Sequence, residues 1–336
     1  MKYSGIGGQA VIEGIMMRNK NKYSLAVRKP DQTIDVKVAE TTPFSDKHPW
    51  AKLPIIRGAV NFVESMVVGM KTLMQSAEYF EDDEGTEPSK FEKWLTAKFG
   101  DKVDKVIMTA SVVIALVISV VVFMWLPLFL TRLVSPWIQS EAVQALIEGL
   151  LRVAIFILYI KIVSRTEDIK RTFMYHGAEH KCINCIEHGM ELNVENVAKS
   201  SKEHKRCGTS FVFIVMAISI IFFVVIRVDN TLMKFVLRLL LIPVIAGVSY
   251  EVLKFLGTHD SPVIDILAKP GLMMQGLTTL EPDESMIEVG IAAVEAVFDW
   301  RAYLKENFGL DSVPAQNAPV GDEVKAADLW EAEQSK

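Results

Sequence analysis

The chain has 336 residues, 50% of them apolar and 23% charged, with a formal net charge of −5. One or two soluble cores could be buried at this length, but a mean hydropathy of +0.26 beside so many charges requires the apolar residues to be bunched into runs. The acidic balance, with no basic stripe interleaved with aromatics, excludes a nucleic-acid partner.

The opening Ser4-Gly5-Ile6-Gly7-Gly8-Gln9 is too short and too weakly basic for a signal peptide. No Walker Lys-Ser/Thr follows, so its glycines read as a tight turn or a close backbone approach rather than a phosphate loop. Tyr23–Arg28, a turn at Pro30-Asp31-Gln32, and Thr33–Ala39 with alternating Ile34, Val36 and Val38 predict a hairpin. His48 falls in a loop. From Ile56 to Phe80, Val60, Val63, Val67, Met70, Met74 and Ala77 recur at three- and four-residue steps, which predicts an amphipathic helix. Its apolar face needs cover from a membrane bundle, the bilayer interface or the hairpin. Glu81–Gly85 reads as a solvated linker.

Ile107–Thr131 runs 25 residues without a charge, long enough to cross a hydrocarbon core of ~30 Å. Three further runs follow: Ala142–Val163, holding Glu148 and Arg152; Thr209–Ile226; and Thr231–Leu256, holding Lys234, Arg238 and Glu251. Glu148 and Arg152 are spaced as a same-face ion pair. The expected fold is thus a mainly α integral membrane protein with about four transmembrane helices, a small α+β cytosolic N-terminal region and a C-terminal cytosolic helix. The expected divisions are 1–106, a membrane domain over 107–256 with a cytosolic loop at 164–208, 257–307, and a disordered acidic tail over 308–336. Pro136–Glu141 and Val228–Asn230 contain no Lys or Arg, whereas Arg165–Arg206 contains eight. The positive-inside rule therefore puts both termini and the central loop of a multi-pass cell-membrane protein in the cytoplasm. All three cysteines share that reducing side, which argues against disulfides. Past the last span, Val263–Leu267 and a turn at Lys269-Pro270-Gly271 precede a helix starting at Pro282-Asp283-Glu284 and running to about Asn307.

Tyr175-His-Gly-Ala-Glu-His-Lys181 carries the chemistry. A helix would bring His176 and His180 to one face with Glu179 between them, the H-x-x-E-H array by which inverzincin proteases hold zinc and a general base. Zinc, or another divalent metal, suits the two imidazoles, and Glu179 is the candidate base. His204 and Glu251 are candidates to complete the shell. Glu251 lies 71 residues beyond His180, and pairing with Lys254, Arg238 or Arg152 is its alternative role. A competing structural site would use Cys182, Cys185, His204 and Cys207, in two pairs separated by eighteen residues. On a continuous helix the first two of these cysteines face away from His176, so one metal cannot easily take both sets.

Gly7–Arg18 (Gly-Gly-Gln-Ala-Val-Ile-Glu-Gly-Ile-Met-Met-Arg), the histidine motif, Arg206-Cys207-Gly208-Thr209-Ser210, Tyr250-Glu251 and Leu277-Thr278-Thr279 with Glu281-Pro282-Asp283 resemble the YqhQ-like family of bacterial membrane proteins. The resemblance spans about residues 3–305. It implies a metal-dependent enzyme with metal at His176, Glu179 and His180, without indicating a reaction. Glu13 is the one residue of the first string suited to act as a ligand or base. The expected function is a zinc-dependent hydrolase at the cytosolic membrane face, acting on a peptide or lipid-linked substrate. The alternative is a non-catalytic scaffold or biogenesis factor that engages the bilayer and a membrane-protein partner.

Overall fold

Four short strands open the chain: β1 Gly7–Val11, β2 Gly14–Asn19, β3 Lys22–Arg28 and β4 Ile34–Glu40, forming an antiparallel meander in the order β1-β2-β3-β4. The computed structural model describes residues 2–83, 103–226, 228, 230–259 and 261–310. Glu84 and Gly85 of the expected linker and the tail from 311 onward lie outside these residues. The predicted hairpin is β3–β4, closed through Gln32 at φ +68°. The strands β1 and β2 were not expected. Glu13 supplies the left-handed turn residue between them at φ +48°, and alternate residues of β2 are buried on opposite faces. Ile15, Met17 and Ala26 enter one core; Val11, Met16, Leu25 and Val27 enter the other. Each large side chain so buried contributes about 1.5–3 kcal/mol. A sheet buried on both faces loses the polar alternation by which strands are recognised.

The chain divides into two units: Met1–Phe80 with 160–215 and 242–336, and Glu81–Tyr159 with 216–241. In the first unit, helix α1 (Ile56–Ala77) covers one sheet face through Val68 and Leu73, while two later helices cover the other. The expected apolar stripe of α1 points outward: Val63, Val67 and Met70 are 58%, 62% and 44% exposed. Its buried positions are Gly58, Gly69, Thr72 and Ser76, because the helix lies very close to its neighbours: a Cβ on Gly69 would strike the Gln9 amide, and one on Gly58 would come within 2.8 Å of Tyr250 Cβ.

In the second unit, α2 (Val103–Val120) continues through a π-helical stretch, Val121–Trp125, into α3 (Leu126–Val134), and α4 spans Glu141–Val163. Helices α5 (Glu167–Glu187) and α6 (Val194–Lys199) precede α7 (Gly208–Val225) and α8 (Thr231–Thr258). Three helical stretches among the described residues are long and apolar enough to cross a membrane: Thr109–Trp137, Gly208–Val225 and Leu232–Thr258. The run expected as the second span is helical as α4 but is not among the three. Inside the second unit the Glu148 carboxylate accepts from both Arg152 and Arg238, so the expected i, i+4 pair is one side of a triad.

Two C-terminal expectations are corrected. Lys269-Pro270-Gly271 is not a turn: α9 runs unbroken from Pro262 to Gln275, capped by the Ser261 hydroxyl, which accepts the Ile264 N–H, and Gly271 packs against Ser210. The final helix is two, α10 (Glu284–Val297) and α11 (Trp300–Phe308), each started by an aspartate cap, Asp283 or Asp299. In the first unit, α5 and α10 form the layer against the β1–β2 face of the sheet.

Candidate metal centre

Helix α5 is the axis of the first unit. Every residue from Gly177 to Glu187 is buried, so its polar side chains must find partners inside the protein. Lys181 donates to Ala198 O and pairs with Glu281, while Asn184 donates to Ser201 O and Glu203 O. One turn earlier, Arg171 pairs with both oxygens of Glu13, and the Tyr175 hydroxyl donates to the same carboxylate. Glu13 is therefore engaged in joining β1–β2 to α5.

The expected histidine face forms. His176 and His180 stack edge to face with ring centroids 4.5 Å apart. His176 Nδ1 bonds Thr278 O at 2.9 Å, and His180 Nδ1 bonds Lys202 O at 2.7 Å. A carbonyl can only accept, so each Nδ1 carries a proton, and the tautomer this selects is the one whose lone pair lies on Nε2. The Cys207 sulfur lies 3.2 Å from His176 Nε2, and one donor atom each from His176, His180 and Cys207 fall within 4.8 Å of one another. Tetrahedral zinc holds nitrogen and sulfur ligands roughly 3.3–3.6 Å apart, so small rotamer adjustments would close this set around an ion. Cys207 Sγ also accepts the Thr209 N–H.

Glu179 completes the arrangement as the intervening acid. Its Oε2 is 3.9 Å from Nε2 of both histidines. Burial raises its pKa, opposed by the nearby His176 and by the Gly8 N–H, which donates to the carboxylate. Gly8 has no room for a side chain: a Cβ would sit 2.6 Å from Met16 O and 2.9 Å from Glu179 Cγ. The close backbone approach expected of the glycine-rich string is thus one wall of the site.

The remaining candidates are placed elsewhere. Both Glu251 oxygens bond Arg57 of α1, a partner not foreseen. Cys182 and Cys185 lie in the apolar core, Cys185 turned toward Glu191 O, while Cys207 joins the histidines; the four-residue Cys/His set is not brought together. His204 stacks near His180, at 5.8 Å, but its Nε2 faces Glu187 at 3.3 Å and Arg206 at 3.2 Å. Gln275 clamps the His204 backbone from both sides, accepting its N–H and donating to its carbonyl. Sequence reasoning missed Gln275, Thr278 and Ser4, because each acts through contacts remote in the chain.

Glu187 has its own consequence. Burial would raise its pKa, but the bond with His204, the Arg206 charge and the Ser4 N–H together take it from 4.5 down to about 2. A carboxyl lowered on folding gives stability that is present above its unfolded pKa and is lost as pH falls toward the folded one. Glu187→Gln is therefore expected to remove about 3 kcal/mol at neutral pH and to flatten the acid limb of stability between about pH 5 and 2. Thermal unfolding midpoints of the two proteins across that range check this; parallel acid limbs would contradict it.

A cavity of about 530 Å³ opens over His176, Glu179 and Cys207. An adjoining groove of about 520 Å³, lined by Phe44, Val60, Val63 and Val67, shares Arg18, Pro43, Glu64 and Val68 with it. His176, Glu179 and Cys207 thus stand at the polar end of a continuous polar-to-apolar surface.

The profile of the family described as "Protein of unknown function (DUF1385)" matches residues 53–300, which include all three donor residues and Glu179. The chain belongs to the DUF1385 family. It is 33% identical over 304 residues to "Uncharacterized protein YqhQ" of Bacillus subtilis (strain 168), covering 90% of this chain and 94% of that protein. No solved structure matches. The DUF1385 match begins after the β-sheet, so Gly8, which holds the Glu179 carboxylate, lies before it.

Proposed function

We propose that this chain is a membrane-embedded, zinc-dependent hydrolase of the DUF1385 family, with His176, His180 and Cys207 as ligands and Glu179 as general base. The observation that carries the reading is the orientation of the two imidazoles. Both Nδ1 atoms are tied to carbonyls, which leaves both Nε2 atoms beside a cysteine sulfur and a buried carboxylate. The donor set fits zinc, which takes imidazole and thiolate together. Zinc bound there supplies Lewis acidity toward a carbonyl or phosphoryl oxygen. Glu179 accepts and returns a proton at Oε2, Gly8 holds the carboxylate in place, and the cavity walls orient the substrate. The apolar groove beside the cavity suits a peptide with an apolar segment or a lipid-linked substrate.

Cys207 directly precedes the apolar helix Gly208–Val225, which favours a site at a membrane face. The reading includes four spans, with α4 as the additional one, and a cytosolic face set by the basic residues of 165–206. A second reading, a non-catalytic scaffold, draws on the exposed Val63, Val67 and Met70 of α1 as a partner surface.

Metal analysis by mass spectrometry on the detergent-purified full chain separates them. About one zinc per chain is expected in the wild type, lost in His176→Ala/His180→Ala, weakened in Cys207→Ser, and kept in Cys182→Ser/Cys185→Ser and Glu251→Gln. A wild type purified without chelators and free of metal would overturn the hydrolase reading in favour of the scaffold.

A further inference from the structure

The second unit contains a cavity of about 310 Å³ whose lining joins Arg132, Lys234 and Arg238 with Glu141 and Glu148. Arg152 adjoins it through its bond to Glu148. Among the described residues this makes four basic groups against two acidic ones, set among helices rich in apolar residues. Arg238 is 8% exposed and Glu148 3%. Arg238 is seven residues into α8, so the cavity floor is about 10 Å from the helix start.

The charges at the floor are unequally committed. Arg152 uses all three of its nitrogens, on Phe123 O, the Ser219 hydroxyl and Glu148. Arg238 makes one described hydrogen bond, to Glu148, and lays its guanidinium 4.6 Å from the Phe223 ring centroid. One carboxylate thus serves two buried guanidiniums. A surplus cation in an apolar setting is costly unless an anion meets it, and guanidinium presents a planar fork suited to two oxygens of one group. Lys234 and Arg132 provide further positive charge along the lining, while Leu237, Leu241 and Phe223 give one apolar wall.

From this we infer that the cavity is a binding site for a phosphate-bearing anion, held by Arg238 with Lys234 and Arg132. The phosphate belongs either to an anionic lipid headgroup or to a free ion. The site is independent of the metal reading: none of its residues belongs to the metal centre, and it would stand if that centre bound nothing.

Native mass spectrometry of the full chain in zwitterionic detergent, offered equal phosphatidylglycerol and phosphatidylcholine, tests this directly. Retention of phosphatidylglycerol over phosphatidylcholine by about tenfold is expected, falling to near parity in Arg238→Gln. Inorganic phosphate is then added at millimolar concentration. If it leaves the retained lipid in place, the ligand is the headgroup. If it displaces the lipid and raises the unfolding temperature of the wild type but not of Lys234→Gln, the ligand is the free ion. Should Arg238→Gln fail to fold, Lys234→Gln and Arg132→Gln carry the test, each expected to reduce selectivity about threefold. Equal retention of the two lipids by the wild type with no effect of phosphate would overturn the proposal, as would full selectivity in all three variants.

Discussion

Glu179→Gln is expected to keep its zinc and to turn over substrate about 10²–10⁴ times more slowly than the wild type. The substitution preserves shape and the capacity to accept the Gly8 N–H, and it leaves His176, His180 and Cys207 untouched. It removes only the ability to take a proton at the atom 3.9 Å from both Nε2 groups. The measurement pairs metal content with product accumulation, by mass spectrometry, in bacterial membrane lipids and peptides incubated with each protein. Products appearing at equal rates would refute Glu179 as base. Loss of zinc along with turnover would instead make the carboxylate part of the metal's support.

Gly177→Ala is expected to destabilise the protein by about 3 kcal/mol and to weaken zinc binding 10–100-fold, although residue 177 touches neither metal nor substrate. A Cβ at Gly177 would collide with Leu280 O and lie 3.4 Å from Pro282 Cδ. Backbone cannot rotate aside as a flexible side chain can, and Leu280 is pinned to α5 by its N–H bond to Phe173 O. The segment must therefore move as a unit, taking with it Thr278 O, which orients His176. Unfolding midpoints and competition with a zinc chelator report the two effects. A variant with both values unchanged would show that the contact between α5 and 278–282 is slack.

The readable parts of this chain were those with local causes. The apolar runs, the helix through the H-x-x-E-H array, and the β3–β4 hairpin follow from spacing and turn chemistry that neighbours in sequence supply. The strands β1 and β2 were hidden because a sheet covered on both faces shows no alternation. The stripe on α1 was read correctly as periodic, but it is not the packed face, since glycines and hydroxyls make the closer approach. In the site, the histidine pair and its acid were legible from helical geometry alone. Cys207 was visible only as a member of another set, because its closeness to His176 depends on how the chain returns from Ser200 to Gly208. Arg57 as the partner of Glu251 lies 194 residues away, beyond any local pattern.

The carbonyls that orient the imidazoles are made late. His180 takes its direction from a residue 22 positions further on, and His176 from one 102 positions further on. During synthesis the ribosome releases the histidine pair well before Thr278, so an emerging chain displays the whole H-x-x-E-H motif while His176 is still free to present either ring nitrogen. On the zinc reading proposed above, metal loading is therefore tied to completion of the C-terminal segment. A product truncated before Thr278 keeps His176, His180, Cys207 and Glu179, yet lacks the bond that commits His176 to its tautomer, which separates finished molecules from unfinished ones.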